Sequence, residues 1–367
     1  MGTRLRPLTY TKPKPLLPLA GEPAIVRLIQ KLAGEGIDEF VVTTNYLASK
    51  LRDTLGGGSR YGVRIHHVEE TSPLGTAGSV KNSEALIDET FLVVQCDNQF
   101  EFGHQEIVQL HRRVDALATL ALVQVENPSE YGIAELSHDR VTRFLEKPKP
   151  TECFSNLANT GLYILEPEVL ELVPEGRPFD FSKDLFPLML QSRMTLAGYH
   201  ASGFWVDIGD AESYLKANIW ALDKLEPAST KSEHKIVCGS GSSISKTATI
   251  RGPVCLGNDV KVHGDAIIGP HACVGDGSEV SAGTRIASSV VYENTQIGYN
   301  AVLNACVVAE NCKIGNRVQI ERETLVGAGA ELGDNAHLTA GSRVGPGVLV
   351  KPGARVEGTI AAAEEQD

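Results

Sequence analysis

The sequence predicts an α/β domain with a mostly parallel sheet, followed by a left-handed parallel β-helix of hexapeptide repeats. Up to about residue 225, short apolar runs alternate with amphipathic segments, which is the pattern of strands and helices in an α/β domain. A polar segment interrupts this pattern at 226–234. Beyond it, apolar residues recur every six positions, the period of a parallel β-helix.

Three runs in the first part predict buried strands, because each is apolar throughout rather than alternating. They are FVVTT at 40–44, FLVVQCD at 91–97 and ATLALVQV at 118–125. Apolar residues at helical spacing predict helices over 24–33, 46–55, 79–87 and 105–114. Parallel sheets of this class bind ligands at the carboxyl ends of their strands, and Asp97 stands at such an end.

The six-residue repeat continues almost to the end of the chain, with two irregularities. The phase shifts by one residue at Val291 and again at Val308. About three hexads close one triangular coil, so the repeat predicts roughly six or seven coils. Its apolar positions are Ile244, Ile250, Leu256, Val262, Ile268, Val274, Val280, Ile286, Val291, Ile297, Leu303, Val308, Ile314, Ile320, Val326, Leu332, Leu338, Val344, Val350 and Val356.

These patterns predict four segments along the chain. The α/β domain is expected over 1–225 and a linker over 226–235. The β-helix is expected over 236–360, and the last residues, 361–367, read as a frayed acidic tail.

The composition excludes several classes of protein. A formal net charge of −12 argues against a nucleic-acid-binding surface, so an anionic ligand needs a local basic cluster such as Arg4, Arg6, Lys12 and Lys14. No run approaches the roughly 20 apolar residues of a membrane span, and the first residues contain no apolar signal-peptide core. The seven cysteines show no paired spacing, which favours free thiols and a cytoplasmic location.

Seven motifs, in order, resemble the sugar-1-phosphate nucleotidylyltransferases, a family in which an attached hexapeptide β-helix is common. The resemblance implies a Rossmann-like nucleotidyltransferase domain and an enzyme that joins a nucleoside triphosphate to a sugar 1-phosphate and releases pyrophosphate. The motifs are GTRLRPLT…KPKPLLPLAGEP at the N-terminus, SPLGTAGSV at 72–80, QCDNQF at 95–100, EYGIAEL at 130–136, FLEKP at 144–148, NTGLYIL at 159–165 and GFWVDIGD at 203–210.

The N-terminal motif carries the roles that the resemblance implies for the nucleotide. Gly2 and Thr3 would wrap the triphosphate with backbone N–H groups, because glycine lets the backbone approach closely. Arg4 and Lys14 would be catalytic, since their charges can stabilise the transferring and leaving phosphates. From the second motif, Gly75 and Thr76 would bind the nucleotide, with Gly75 facing the base.

Carboxylates and the sugar pocket complete the implied set. Asp97 and Asp207 would hold Mg²⁺, which prefers one or two carboxylates together with waters and phosphates. The sugar phosphate would be bound by Gly132, Glu146, Lys147 and Asn159. In one departure from the family, Cys96 stands where a glycine is usual, and its side chain would either crowd the ligands or point into the sheet.

The resemblance is closest to mannose-1-phosphate guanylyltransferases, which implies GTP and mannose 1-phosphate as substrates. Glucose-1-phosphate thymidylyl- or uridylyltransferases are the near alternative. A second alternative is an inactive regulatory homologue. A third is a bifunctional enzyme whose β-helix also transfers an acyl group, with His263, His271 or His337 as the base. We expect the β-helix to assemble the chain into a homo-oligomer.

The first residue falls inside a motif. Family members begin with a buried strand that leads into Leu-Ala-Gly-Gly-any-Gly-Thr-Arg, whereas this sequence begins at the last glycine of that loop. We therefore expect a start codon about ten residues upstream, encoding a strand and two or three further glycines. The alternative is a chain that lacks a central strand and half of its phosphate-binding loop.

Overall fold

The computed structural model describes residues 2–45, 47–226 and 235–361. Contacts divide it into two compact units, one formed by Met1–Ile25 with Ile208–Asp367 and the other by Val26–Asp207. Most of the expected linker, 227–234, and of the expected tail, 362–367, lies outside the described residues. The domain boundary at 225 stays a prediction.

The N-terminal segment of the first unit consists of short turns and a small hairpin. Two 3₁₀ turns, Thr3–Leu5 and Lys14–Leu16, flank the single helical turn α1 (Leu8–Thr11). Strands β1 (Pro18–Leu19) and β2 (Glu22–Pro23) then pair antiparallel. Helix α2 (Ala24–Gly34) follows and matches the predicted helix over 24–33.

The second unit is built around a six-stranded sheet. Its strands in chain order are β5 (Phe91–Val94), β7 (Ala118–Gln124), β8 (Gly132–Ser137), β9 (Arg140–Glu146), β10 (Leu157–Leu165) and β11 (Leu196–His200), and their spatial order is β5-β10-β7-β11-β9-β8. Two smaller sheets accompany it. The first pairs β3 (Glu39–Thr44) with β4 (Arg64–Glu69) in parallel, and the second pairs β6 (Asn98–Phe100) with β12 (Trp205–Asp207) antiparallel.

The α/β class is confirmed, and the predicted strands at 40–44, 91–97 and 118–125 correspond to β3, β5 and β7. The main sheet is mixed, however, rather than mostly parallel. The long strand β10 lies between β5 and β7 and is antiparallel to both, so these two strands run in the same direction without touching. The β8–β9 hairpin adds further antiparallel pairs, and β11 pairs in parallel with β7.

Four more helices belong to this unit: α3 (Ala48–Leu55), α4 (Gly75–Lys81), α5 (Gln105–Arg113) and α6 (Phe186–Gln191). Helix α4 begins four residues before the predicted segment 79–87, because the carbonyl of Phe179 accepts the amides of Ala77 and Gly78 in its first turn. The 3₁₀ turn Glu84–Leu86 occupies the remainder of that segment. One apolar core of this unit packs Leu120, Leu122, Tyr163, Phe181 and Phe186 together.

After helix α7 (Ala211–Asp223), the first unit continues as a β-helix with three faces of parallel strands. Face 1 contains β13 (Ile236–Cys238), β16 (Val254–Leu256), β19 (Ala272–Val274), β22 (Val290–Val291), β25 (Val307–Val308), β28 (Leu325–Val326), β31 (Arg343–Val344) and β34 (Thr359–Ile360). Face 2 contains β14 (Ser243–Ile244), β17 (Lys261–Val262), β20 (Glu279–Val280), β23 (Gln296–Ile297), β26 (Lys313–Ile314), β29 (Glu331–Leu332) and β32 (Leu349–Val350). Face 3 contains β15 (Thr249–Ile250), β18 (Ile267–Ile268), β21 (Arg285–Ala287), β24 (Val302–Asn304), β27 (Gln319–Ile320), β30 (His337–Leu338) and β33 (Arg355–Val356).

The strand register confirms the hexapeptide β-helix and explains its two irregularities. A regular coil advances by 18 residues, as between Val254 and Ala272. Where the phase shifts, the step is 17 residues, from Cys273 to Val290 and from Val290 to Val307. The apolar repeat positions from Leu256 to Val356 fill one continuous core that runs through the coils, while Ile250 packs against this core and Ile244 is exposed.

Among the residues that the structure describes, no helix combines the length and apolarity needed to cross a lipid bilayer.

Candidate active-site residues

The N-terminal loop brings two predicted phosphate-binding residues side by side. Gly2 has a left-handed backbone at φ +58°, and a Cβ placed on it would lie 3.6 Å from Lys14 Cβ. Its carbonyl accepts the amide of Leu5 at 3.0 Å and the Thr9 hydroxyl at 2.9 Å. These bonds leave Thr3 and Arg4 exposed on the first 3₁₀ turn. A basic, exposed turn of this kind suits an anionic ligand.

Arg4 lies next to an aspartate that sequence reasoning did not single out. Its Nη1 is 3.9 Å from Oδ2 of Asp210, and both side chains are about half exposed. Asp210 accepts the amide of Ser213 at 2.9 Å and thereby caps helix α7. Burial opposes the shift, but hydrogen bonds from Ser213 and the charges of Arg4 and Lys14 lower the pKa of Asp210 below its ordinary value. The signal in the sequence was an N-cap pattern, an aspartate directly before a helix.

The two predicted metal ligands stand at the same end of the β6–β12 ribbon. The register places Asp207 opposite Asn98, the residue after Asp97. A tight turn precedes β6, closed by the Asn98 amide donating to the Gln95 carbonyl at 3.1 Å. This turn carries Cys96 and Asp97, and Cys96 is partly exposed there.

The residues at this end of the ribbon fit a divalent cation. Two carboxylates together with substrate oxygens and waters are the usual protein environment of Mg²⁺. Beside them, the side-chain oxygen Oδ1 of Asn98 is buried and has no hydrogen-bond partner in the described structure. No cluster of three or more His, Cys, Asp or Glu side chains suited to a metal occurs within 2–45, 47–226 and 235–361. The assignment of Asp97 and Asp207 to a metal ion stays a prediction.

Glu146 and Gly132, both predicted to bind the sugar phosphate, face each other across the β8–β9 hairpin. A Cβ on Gly132 would lie 2.5 Å from Glu146 Oε2 and 2.7 Å from Phe144 Cζ, so a larger residue here would displace the ends of these two side chains. Burial raises the pKa of Glu146 above its ordinary value; Lys147 opposes this shift and Asp180 adds to it. A half-buried carboxylate with a raised pKa is typical of a binding or catalytic position.

The next residue, Lys147, has a strained backbone. Its φ of +46° lies in the left-handed region, which costs a residue with a side chain about 1 kcal/mol. Its amide donates to the carbonyl of Tyr131 at 3.0 Å, a bond that holds this conformation.

Asn159 lies on β10, where the pairing with β7 shifts register. Its Nδ2 donates to the Tyr163 hydroxyl at 2.8 Å and to Ser182 Oγ at 3.2 Å, while its Oδ1 accepts the amide of Gly161 at 3.1 Å. Asn159 therefore ties a bulged strand to Ser182, whose hydroxyl lowers the pKa of Glu146 against the effect of burial.

Ser182 belongs to segment 180–183, which lies outside the seven motifs of the resemblance. Asp180 accepts the amides of Ser182 and Lys183 at 3.0 and 3.3 Å, which caps the short helical turn that follows. The charges of Asp180 and Lys183 both act on Glu146. No pattern in the sequence places this segment beside the β8–β9 hairpin, because the contact depends on the tertiary fold.

Gly75 and Thr76, predicted to bind the nucleotide, pack against the same segment. Gly75 has φ +72°, and a Cβ on it would lie 2.6 Å from the carbonyl oxygen of Phe179. Thr76 Oγ1 donates to Asp180 at 3.0 Å and accepts the amide of Phe181 at 3.0 Å. The Phe179 backbone therefore accounts for the glycine, and a contact with the nucleotide base stays a prediction.

The three β-helix histidines each contact a carboxylate. His263 lies 2.7 Å from Glu279, His271 lies 3.0 Å from Asp223 and His337 lies 2.6 Å from Glu321. Successive strands of two or three residues begin four to seven residues apart from Ser243 to Thr359, so the described part of the β-helix has no long insertion beside them. An acyl-transfer role for these histidines has no further support.

Comparison with known proteins identifies the family. The Nucleotidyl transferase profile matches residues 1–224, and the GMPPB C-terminal domain profile matches residues 250–346. Mannose-1-phosphate guanyltransferase from Candida albicans is 33% identical over 343 residues, covering 90% of each protein. The enzyme of the same name from Saccharomyces cerevisiae is 36% identical over 61% of this chain and 63% of its own length.

A solved structure, HddC from Yersinia pseudotuberculosis complexed with GMP-PN, superposes with a TM-score of 0.52 at 25% identity. It covers 59% of this chain and 94% of the HddC chain. Three findings thus indicate the same family: the profile match over the first part, the guanyltransferase relatives over nearly the whole chain, and the β-helix. This chain belongs to the sugar-1-phosphate nucleotidyltransferase family.

Proposed function

We propose that this chain transfers the guanylyl group of GTP to mannose 1-phosphate, giving GDP-mannose and pyrophosphate. The observation that carries this proposal is the similarity to the Candida albicans mannose-1-phosphate guanyltransferase, which extends over nearly the full length of both proteins. The site residues support it, because they supply cations for phosphates and the half-buried carboxylate of Glu146 for a sugar. Mg²⁺ is the cation that we propose for the reaction.

The reaction is an in-line displacement at the α-phosphorus of GTP. A phosphate oxygen of mannose 1-phosphate forms a new bond to the α-phosphorus, and the bond from this phosphorus to the oxygen bridging to the β-phosphorus breaks. Its electron pair leaves with pyrophosphate. Such reactions depend on positioning and on neutralising phosphate charge rather than on a covalent enzyme intermediate.

In this proposal the N-terminal loop neutralises the triphosphate. Arg4 contacts Asp210 only through an exposed pair at 3.9 Å. Exposed ion pairs contribute little, so a phosphate can displace the aspartate from the guanidinium. Lys14, next to Gly2, contributes a second positive charge as pyrophosphate leaves.

Asp97 and Asp207 are the residues that would hold the divalent cation. When bound, the ion would withdraw electron density from the phosphate oxygens and orient them for displacement. The chain contributes the two carboxylates, and the ribbon pairing fixes their common position.

The sugar phosphate, in this proposal, binds beside the β8–β9 hairpin. The carboxylate of Glu146 accepts sugar hydroxyl groups, and the Lys147 ammonium contacts the phosphate. Three further residues act on the Glu146 carboxyl through their charge or hydroxyl: Asp180, Ser182 and Lys183. We propose them as additional residues that determine sugar specificity. Asn159 supports the pocket through Ser182.

The other expectations remain part of the proposal. All seven cysteines are free in the structure, which accords with a reducing, cytoplasmic location. Assembly into a homo-oligomer through the β-helix is compatible with its long regular faces. Light scattering on the full chain would measure this assembly directly.

A pyrophosphate-release assay tests the function. The full chain is incubated with Mg²⁺ and each pair from GTP, ATP, UTP and dTTP with mannose 1-phosphate or glucose 1-phosphate. We expect turnover with GTP and mannose 1-phosphate to exceed every other pair. A preference for UTP or dTTP with glucose 1-phosphate would assign the alternative substrates, and turnover with no pair would support an inactive homologue.

A further inference from the structure

The two irregular coils of the β-helix carry stacked carboxylates. Coils here advance by 17 residues, so Glu293 and Glu310 occupy equivalent positions, each two residues beyond the end of its strand, β22 or β25. Parallel neighbouring strands lie about 4.8 Å apart, and like charges at that distance repel each other. Moreover, Oε2 of Glu310 is buried without a hydrogen bond in the described structure. Such a pair is a site for a cation.

Lys12 of the N-terminal loop supplies that cation. Its Nζ lies 2.9 Å from Glu293 Oε1 and 4.0 Å from Glu310 Oε2. It also lies 4.9 Å from the centre of the Tyr292 ring, within cation–π distance. The Lys12 side chain is only 20% exposed, so these contacts are partly screened from water. Sequence reasoning grouped Lys12 with the phosphate-binding cations, but its ammonium is directed to the β-helix.

A second set of contacts holds the same N-terminal segment at residues 18–20. Tyr214 of α7 bonds the Tyr292 hydroxyl at 3.0 Å and donates to the carbonyl of Pro18 at 2.6 Å. Asn218, one turn later, donates to the same carbonyl and accepts the amide of Ala20. Both tyrosines are fully buried. The loop is thus held by the β-helix at Lys12 and by α7 at 18–20.

Lys12 and Lys14 are so close in the chain that the contacts of Lys12 with the β-helix also restrict Lys14. Only Pro13 separates the two lysines, and Pro15 follows. The proline ring fixes φ of Pro13, so few backbone torsions remain free between Lys12 and Lys14. Holding Lys12 therefore restricts where Lys14 can place its charge.

We propose that Lys12 is a positioning residue and that Glu293 and Glu310 make the β-helix part of the nucleotide-binding apparatus. This inference rests on the proposed function, because it assigns Lys14 to the triphosphate. The β-helix then serves catalysis directly, by orienting the phosphate-binding loop, in addition to any role in assembly.

The kinetic test compares Lys12→Met, Lys12→Arg and the double variant Glu293→Gln/Glu310→Gln in the full chain. We expect Lys12→Met and the double variant each to raise KM for GTP about tenfold, with a smaller change in kcat. Lys12→Arg, which keeps the charge, should recover most of the loss. The triple variant, which combines Lys12→Met with Glu293→Gln/Glu310→Gln, should raise KM for GTP no further than Lys12→Met or the double variant does, since each of them removes the same interaction. Lys313→Met is the matched control, because Lys313 pairs with Glu331 across two β-helix coils at 2.7 Å.

A direct contact between Lys12 and phosphate predicts a different result. The glutamine double variant would then keep the wild-type KM for GTP while Lys12→Met raised it, and this outcome would overturn the proposal. Hydrogen exchange supplies a readout that does not depend on activity. The amides of Leu16 and Leu17, which donate to Pro13 and Lys14, should exchange faster in Lys12→Met and in the double variant. Unchanged exchange would also overturn the inference, whereas absence of wild-type turnover would count against the proposed function alone.

Discussion

Asp207 pairs with Asn98 across the β6–β12 ribbon and so stands at the same end of it as Asp97. Sequence reasoning placed these aspartates more than 100 positions apart, at the ends of two strands. The ribbon explains how two strand ends from distant parts of the chain converge, because an antiparallel pair brings the end of one strand to the start of the other.

We expect Asp97→Asn and Asp207→Asn each to lower turnover by about a hundredfold, because each removes a carboxylate from the proposed cation. The asparagine keeps the shape of the side chain, so thermal unfolding should change little. Turnover is measured by pyrophosphate release over a series of Mg²⁺ concentrations. Asp88→Asn, at an exposed position, is the control. Wild-type activity of either variant at limiting Mg²⁺ would contradict the metal assignment.

Glu146→Gln should separate binding from stability. The raised pKa means that folding favours the protonated carboxyl, so the ionised side chain destabilises the fold at neutral pH. The variant should therefore unfold at the same or a higher temperature than the parent at pH 7. This advantage should disappear as the pH falls below the ordinary pKa of 4.5, where the carboxyl is protonated in both states.

The same variant should bind the sugar phosphate less tightly, with KM raised about tenfold, because an amide replaces a charged acceptor. Steady-state kinetics with varied mannose 1-phosphate provide the measurement. Glu135→Gln, at an exposed position of the same strand pair, serves as the control. An unchanged KM combined with lower stability would make Glu146 a structural residue.

The thiols should differ widely in reactivity. Burial raises the pKa of Cys306 and of Cys312 to about 12, so at pH 8 only about one in ten thousand of these thiols is ionised. Cys238 is exposed. Native protein treated with iodoacetamide should therefore be modified at Cys238 and hardly at all at Cys306 or Cys312, as read by peptide mass spectrometry. Comparable modification of all three would show that the coils open readily.

A chain ending at Leu225 tests whether 1–225 is an independent domain. This truncation removes Tyr292, the hydrogen-bond partner of buried Tyr214, and both carboxylates that hold Lys12. We expect the melting temperature to fall by roughly 5 °C or more relative to the full chain. A chain ending at 361 is the control, since it keeps every contact described above. Equal melting temperatures for the Leu225 truncation and the full chain would show that the β-helix does not support the loop.

The local patterns of the sequence determined the β-helix almost completely. A hexapeptide repeat is closed by neighbours one coil away, so periodicity along the chain translates directly into strands, corners and a core. Even the two phase shifts correspond to the two 17-residue coils. Continuous apolar runs likewise located β3, β5 and β7, because a strand that is covered on both faces needs apolar residues at consecutive positions.

Tertiary structure alone decided the pairing of the main sheet and the surroundings of the site. The position of β10 between β5 and β7 depends on contacts between distant segments, which no local period encodes. For the same reason, segment 180–183 beside Glu146 and the carboxylates around Lys12 could not be read from sequence. Lys12 and Lys14 look alike as charges in a proline-rich loop, and only the fold directs one ammonium to the β-helix, because ion pairs form between residues that packing brings together.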